Sequence, residues 1–383
     1  MLIGFSLKGA PLVQLSENAK ISVLTFSPGQ EVYTVYGHTA IRVIDNAKGL
    51  DVVFNYGVFG FYEANFILRF ARGQTDYMLD LKTFLQTFGS YKRDNQGIFE
   101  QVLNLTTTEK DNLWEFLNEN LKEENREYRY NFFYDNCATR VRDVIVSQIN
   151  GEVIFPDKSQ DMSFMKHVSV YQRVLPWLDF GTWLALGSPA NIKATIWEEM
   201  FLPEYLKSHF GKAEIIMEDG QKRMLVESSN VLLKPATEPL FTLISPLVAA
   251  IILMLFVINS TIRQMKYNKL RYFWDYLLLL LTGVTGVVAC LLMLFSEHPA
   301  VQQNWNVLWA LPTNLIFLFV WKNKYWRNVS KWYWPLLAIA MSLFLVLSHM
   351  MIPQSFHPVV FLIVIMVLIR SVSNIWHLII KKV

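Results

Sequence analysis

YNFFYDNCATRVRD, residues 130–143, sets a cysteine directly behind two residues that cap helices. Asp135 or Asn136 can accept from the free N–H groups of a following helix. Val141, Val144, Ile145 and Ile149 recur on one face of that helix, expected over 138–149. Cys137 therefore stands in a first helical turn. Unsatisfied N–H groups there carry partial positive charge, which stabilises a thiolate and lowers the thiol pKa; they can also hold an oxyanion. A solitary cysteine is most often a small buried apolar residue. The polar neighbours Asn136, Thr139 and Arg140 argue against an apolar niche here.

Upstream, ISVLTF (21–26), TAIRVI (39–44) and DVVFNYG (51–57) read as strands, being β-branched and aromatic and bounded by Pro, Gly and Asn. Residues 108–124 read as a helix, with a Thr ahead of Glu109 and with Leu113, Phe116, Leu117 and Leu121 at helical spacing. The polar half is thus α+β. His38 follows Gly37 at the start of the second strand, where alternation puts His38, Ala40 and Arg42 on one face and Thr39, Ile41 and Val43 on the other. An imidazole there can take the proton of a thiol whose helix abuts the sheet and return it to a leaving group. The other histidines before Pro239, His167 and His209, have no such setting. Asn55, on the next strand, is the candidate to orient the imidazole and fix its tautomer, although Asn also serves commonly as a plain turn or strand-end residue. No C-x-x-C or H-E-x-x-H pattern occurs and the histidines are scattered, so neither a metal nor another cofactor is expected.

The rest of the chain is a different text. Across 383 residues the hydrophobic fraction is 52% and the mean hydropathy +0.25, too apolar for a wholly soluble protein. A net charge of +3 makes no basic field of the kind nucleic acid requires. Cys137 and Cys290 lie in segments of opposite character and form no disulfide framework. The start, MLIGFSLKGAPLVQL, has no basic leader, and its apolar run breaks at Lys8, short of a signal-peptide core, so export must be read from elsewhere. After Pro239, runs at 240–258, 273–295, 305–321, 332–351 and 359–380 approach the roughly 20 residues that span a bilayer. The expectation is an outer domain over 1–238 and a bundle of five transmembrane helices over 239–383.

Basic residues orient the bundle, because short cytoplasmic loops retain Lys and Arg. Arg263, Lys266, Lys269 and Arg271 follow the first run, Lys322, Lys324, Arg327 and Lys331 the third, and Lys381 and Lys382 the fifth. The intervening SEHPAVQQN and IPQSFHP have none. The polar half is therefore expected outside, in the periplasm of a Gram-negative cell, with a multi-pass inner-membrane anchor and a cytoplasmic C-terminus. Trp305, Trp309, Trp321, Trp326, Trp332 and Trp334 suit an interfacial belt. Arg370, midway along the fifth run, must pair in the bundle or snorkel.

The order of His on a strand, a polar strand, then an Asn-Cys helix start, in GHTAIRV and DNCATRV, resembles the circularly permuted papain-like enzymes, NlpC-like and lecithin:retinol acyltransferase-like proteins included. More specifically, YGHTAIRV, FNYGVFGF, YNFFYDNCATRVRD, EEMFLPEYL and NWNVLWALPTNL are similar to the successive motifs of the Bacteroides-type lipoprotein N-acyltransferase (Lnb) family, over nearly the whole chain. The resemblance implies that Cys137 is the nucleophile, His38 the general base and acid, and an N-acylated lipoprotein the product. The donor would be a phospholipid or a lipoprotein's own diacylglyceryl ester, and the acceptor a lipoprotein N-terminus. Tyr36, Asn136 and Arg140 beside the pair are expected to contact substrate or lipid; His298 at the outer end of the second span, with Asn304 and Asn306 just beyond, either positions lipid headgroups with them or is, like them, a solvated loop residue. Two other readings stand beside this one. A cell-wall peptidase would share the nucleophile but need one anchor at most, and a non-catalytic envelope scaffold would keep full function as Cys137→Ala.

Overall fold

The structure is a computed structural model that describes residues 14–59, 65–236, 244–320 and 327–380. The chain start, Trp321, Lys322, Lys324, Trp326, Lys381 and Lys382 lie outside the described residues. In chain order the strands are β1 (Lys20–Phe26), β2 (His38–Asp45), β3 (Leu50–Val58), β4 (Asp76–Thr83), β5 (Ile98–Leu103), β6 (Glu127–Arg129), β7 (Glu152–Ile154), β8 (Glu214–Ile216), β9 (Lys222–Met224) and β10 (Val226–Leu233). The helices are α1 (Phe66–Ala71), α2 (Phe84–Arg93), α3 (Thr107–Asn120), α4 (Cys137–Ser147), α5 (Phe164–Gln172), α6 (Pro176–Ala185), α7 (Ile196–Glu199), α8 (Pro203–Phe210), α9 (Pro246–Tyr267), α10 (Phe273–Phe295), α11 (Thr313–Val320), α12 (Arg327–Leu347) and α13 (Pro358–Ile380). They fall into two compact units: residues 1–162 with 194–238, and residues 163–193 with 239–383. Segment 163–193, although it precedes Pro239, groups with the helical unit.

Among the described residues of the first unit, an antiparallel sheet of order β10-β5-β1-β2-β3-β4-β6 stands beside a small sheet, β7-β8-β9. Its central strands are buried on both faces. Ile21, Val23, Ile41, Val43 and Phe54 pack with Leu113 and Leu117 of α3 and with Val141 and Ile145 of α4. Leu24, Phe26, Ala40, Val53 and Ile98 meet Phe84, Phe88 and Tyr91 on the α2 side. The alternation in TAIRVI is realised, with Ala40 in one core and Ile41 and Val43 in the other. The Thr106 hydroxyl and the Glu109 carboxylate cap α3 reciprocally, at 3.3 and 2.8 Å, and the helix stops at Asn120 rather than 124. Phe116 stays exposed while Trp114 takes the buried place. Helix α4 starts at Cys137 itself.

In the second unit three described helices, Pro246–Tyr267, Phe273–Phe295 and Pro358–Ile379, are long and apolar enough to cross a bilayer. The last two lie where the apolar runs put them. The first begins at Pro246, where the Ser245 side chain caps it, and carries on past the expected end through Asn259 to Tyr267. The third run is corrected more heavily: Trp305–Leu308 is a tight 3-10 turn, and helix begins only at Thr313. Asn304 caps the turn and Pro312 precedes the helix, so the polar punctuation there outweighs the hydropathy. Its described part, Thr313–Val320, covers only about 12 Å. Trp309 and Trp334 are buried in the helical core, not in a lipid-facing belt, whereas Trp332 is exposed. Close packing of α10 requires Gly286, where an added methyl would collide with the Ala310 carbonyl. Arg370 pairs within the bundle: its guanidinium donates to Asp275 at 2.8 and 2.7 Å, to Thr261 at 3.0 Å and to Gln264 at 2.9 Å.

Candidate active site

Cys137 owes its position to Asn136. The Asn136 side-chain oxygen accepts from the N–H groups of Ala138 and Thr139 at 2.8 and 3.0 Å, and the Thr139 hydroxyl accepts from Asn136 N–H at 2.8 Å. The Asn136 amide nitrogen donates to the carbonyls of Phe132 and Phe201 at 2.7 and 2.8 Å. Every hydrogen-bonding group of this side chain is therefore used in holding the start of α4 against the chain before and after it. Expected as a substrate contact, Asn136 is a buried cap. Its effect is to point the first residue of α4 at the end of β2, against which the helix packs.

His38 opens β2, opposite Phe26 of β1 and within 5.8 Å of its ring. It stands beside Cys137, close enough for charge and hydrogen bonding to couple the two groups, and the N–H groups of Thr39 and Ala138 act on the same thiol. On its other side, His38 Nε2 lies 2.5 Å from the side-chain oxygen of Asn55. That oxygen can only accept, so Nε2 carries the proton and Nδ1 is left to face the thiol. Asn55 can reach the ring because β3 lies antiparallel to β2 and the two side chains stand on the same face, diagonally across the pair.

The electrostatics follow from this geometry. Burial pushes the Cys137 thiol up, but the charge and hydrogen bond of His38, with the N–H groups of Thr39 and Ala138, outweigh it and hold the pKa below the ordinary thiol range. Burial pushes His38 down, yet the Cys137 charge and hydrogen bond and the Asn55 bond leave it raised. Both shifts favour a thiolate beside an imidazolium.

Gly57 and Tyr128 complete the site, and neither stands out in the sequence. The β3–β4 register breaks between Asn55 and Val58, and Gly57 sits in that irregularity at a φ of +92°. A methyl added at Gly57 would come within 3.4 Å of Cys137 Cβ, 3.7 Å of His38 Cε1 and 3.8 Å of the Tyr128 hydroxyl. Tyr128 is only 8% exposed, and among the described residues its hydroxyl has no hydrogen-bond partner. Tyr77, Tyr91, Tyr128 and Tyr130 are all pushed up, first by burial and then by the negative charge of Cys137. The sulfur thus lies in a tyrosine-rich shell. The one trace of it in sequence is the aromatic density of EYRYNFFY, residues 127–134.

The remaining candidates separate by position. Tyr36 packs its ring on Phe132 at 4.7 Å. Arg140 pairs with Asp135, one contact being 2.7 Å, and its guanidinium lies 4.2 Å above the Tyr128 ring, so its charge is engaged within the protein. His298, Asn304 and Asn306 belong to the helical unit. Asn304 donates to the carbonyls of Leu184 and Ala185 at 2.9 and 3.1 Å, and Asn306 to those of Trp183 and Leu184 at 3.0 and 3.3 Å. Both are buried clamps on the end of α6, and half-buried His298 leads the 3-10 turn Pro299–Val301. His209, set aside in sequence, is a buried partner of Glu199 at 3.2 Å.

Two family models match the chain. Residues 14–172 match the one described as the Lnb N-terminal periplasmic domain, and residues 237–382 the one described as the Lnb transmembrane domain. Searches of curated proteins and of solved structures gave no match.

Proposed function

The chain belongs to the Lnb family, and from that premise we propose that it is a bacterial membrane lipoprotein N-acyltransferase working through a thioester on Cys137. The observation that carries this reading is Cys137 at the start of α4 beside His38, both within 3.7 Å of one point above Gly57, with Asn55 2.5 Å from the far ring nitrogen. In the first half-reaction the thiolate attacks the carbonyl of a lipid ester. The Tyr128 hydroxyl, which has no hydrogen-bond partner among the described residues, donates to the developing oxyanion. The ester C–O bond then breaks, and the His38 imidazolium gives its proton to the departing alkoxide, leaving a lyso-lipid and an acyl-thioester. In the second half a lipoprotein α-amino group attacks the thioester, His38 accepts its proton, and the C–S bond breaks to give the amide and the thiolate. Asn55 holds the imidazole in one tautomer through both halves.

The donor is a phospholipid or a lipoprotein diacylglyceryl ester. The catalytic unit is of permuted papain-like type and lies in the periplasm, on five inner-membrane spans that end in the cytoplasm. The alternation of basic and neutral loops supports that orientation, and the described helices α9, α10 and α13 supply three of the spans. Mass spectrometry of lipoprotein N-termini tests the reading. Cells with the active protein should carry one more N-linked acyl chain than cells with Cys137→Ala, and identical N-termini in the two would count against it.

A further inference from the structure

Helix α6 is apolar, LPWLDFGTWLAL over 175–186, yet it is too short to be a span and lies far from the runs that read as membrane. It nevertheless belongs to the helical unit. Phe180 and Leu184 pack on the core that contains Leu278, Trp309 and Leu337. The sole charge of α6, Asp179, accepts from the Ser169 hydroxyl at 2.6 Å and lies 3.8 Å from His357 Nε2. Trp177 Nε1 donates to the Ile244 carbonyl at 2.9 Å, one residue before Ser245 caps α9.

Among the described residues, the other side of the helix is open. Trp177 and Gly181 lie exposed on one face of α6, Trp177 being 52% exposed, and exposed Arg173 and Val174 stand in the turn before the helix. Beyond the Trp177–Ile244 bond lies the exposed apolar flank of α9, where Leu247, Val248 and Ile251 lie open as on a lipid-facing span. An exposed apolar face of α6 is thus tied at one hydrogen bond to the start of the helix whose flank is apolar and exposed. A Trp whose indole N–H is bonded while its ring faces outward is the side chain that settles at the boundary of acyl chains and headgroups.

We propose that α6 is an in-plane membrane element, its Trp177–Gly181 face lying in the leaflet that the N-terminal end of α9 reaches. This rests on the reading of α9 as a span. The bilayer then receives the chain before the first span, and the catalytic unit is joined to membrane-embedded segments at three places, 162/163, 193/194 and 238/239. A soluble domain on a single tether would be joined at one.

A nitroxide label tests this. Gly181→Cys is suited to it because a side chain at that position meets open space. The label goes into a full-length Cys137→Ala, Cys290→Ala background, reconstituted in phosphatidylethanolamine–phosphatidylglycerol vesicles. Power-saturation spectra are recorded with oxygen and with a water-soluble nickel chelate. The expected result is strong oxygen relaxation and weak nickel relaxation, as for a control label at Leu255, which is 61% exposed on α9. Nickel access equal to that of a label at exposed Glu124 would overturn the proposal. So would exclusion of both reagents, which would mean that protein covers the face. If the Gly181 variant does not fold, a label at Trp177 decides by the same criteria. Because this background lacks the Cys137 thiol, the outcome is independent of whether the transfer chemistry is right.

Discussion

A buried thiol resists ionisation, and the Cys137 thiol becomes acidic only because an imidazole and two backbone N–H groups converge on it. The lowered thiol and the raised imidazole bracket a pH window in which the thiolate–imidazolium pair is populated. Single-turnover acylation should rise with pH through the lowered Cys137 pKa and fall as pH passes the raised His38 pKa. Asn55 favours the protonated ring, so Asn55→Ala should move the falling limb to lower pH; an unmoved limb would remove Asn55 from the site. His38→Ala should slow acylation by a factor of about 100 to 10,000. Gly57→Ala should cost about 1–3 kcal/mol in denaturant unfolding, because a residue with a Cβ is strained at its φ. The settings of His38 and Cys137 were legible in sequence because each adjoins a local signal, a cap before Cys137 and a strand start at His38. Gly57 and Tyr128 were not, because their roles arise only when β3 and β6 are folded beside α4.

At the scale of elements, the cap on α4 and the charge pin between α10 and α13 carry distinct consequences. Asn136→Ala should lower stability by about 0.5–2 kcal/mol, the usual worth of a cap. It should also slow acylation, since the first turn it orders presents the sulfur; full activity with lowered stability would separate cap from catalysis. Asp275 and Arg370 are both buried, and removing one partner leaves the other charge uncompensated. Asp275→Leu alone should cost about 3–5 kcal/mol in detergent unfolding, and adding Arg370→Met should restore most of it. No restoration would mean that the Arg370 bonds to Thr261 and Gln264 matter more than the ion pair. Spans α10 and α13 were legible as unbroken apolar runs. The start of α11 was not, because Asn304 and Asn306 look like loop residues until their amides are seen holding Trp183, Leu184 and Ala185.

For the whole molecule, a sheet-rich α+β part followed by an apolar helical part could be read from composition and patterning, but the grouping of 163–193 with the helical unit could not. Periodicity reports which face of a helix is apolar, not whether protein or lipid covers it. The proposed orientation predicts that in whole cells a cysteine at Glu124 reacts with an impermeant maleimide while one at Lys331 reacts only after permeabilisation. The covalent intermediate is the species that distinguishes thioester chemistry from every alternative. The purified full-length protein, incubated with phospholipid vesicles and no amine acceptor, should gain the mass of one fatty acyl chain on the peptide that contains Cys137, in a form cleaved by neutral hydroxylamine. Adding a lipoprotein with a free α-amino group should discharge the adduct and N-acylate the acceptor, and Cys137→Ala should do neither. Efficient N-acylation by the Cys137→Ala protein, or an acyl chain on any residue but Cys137, would contradict it.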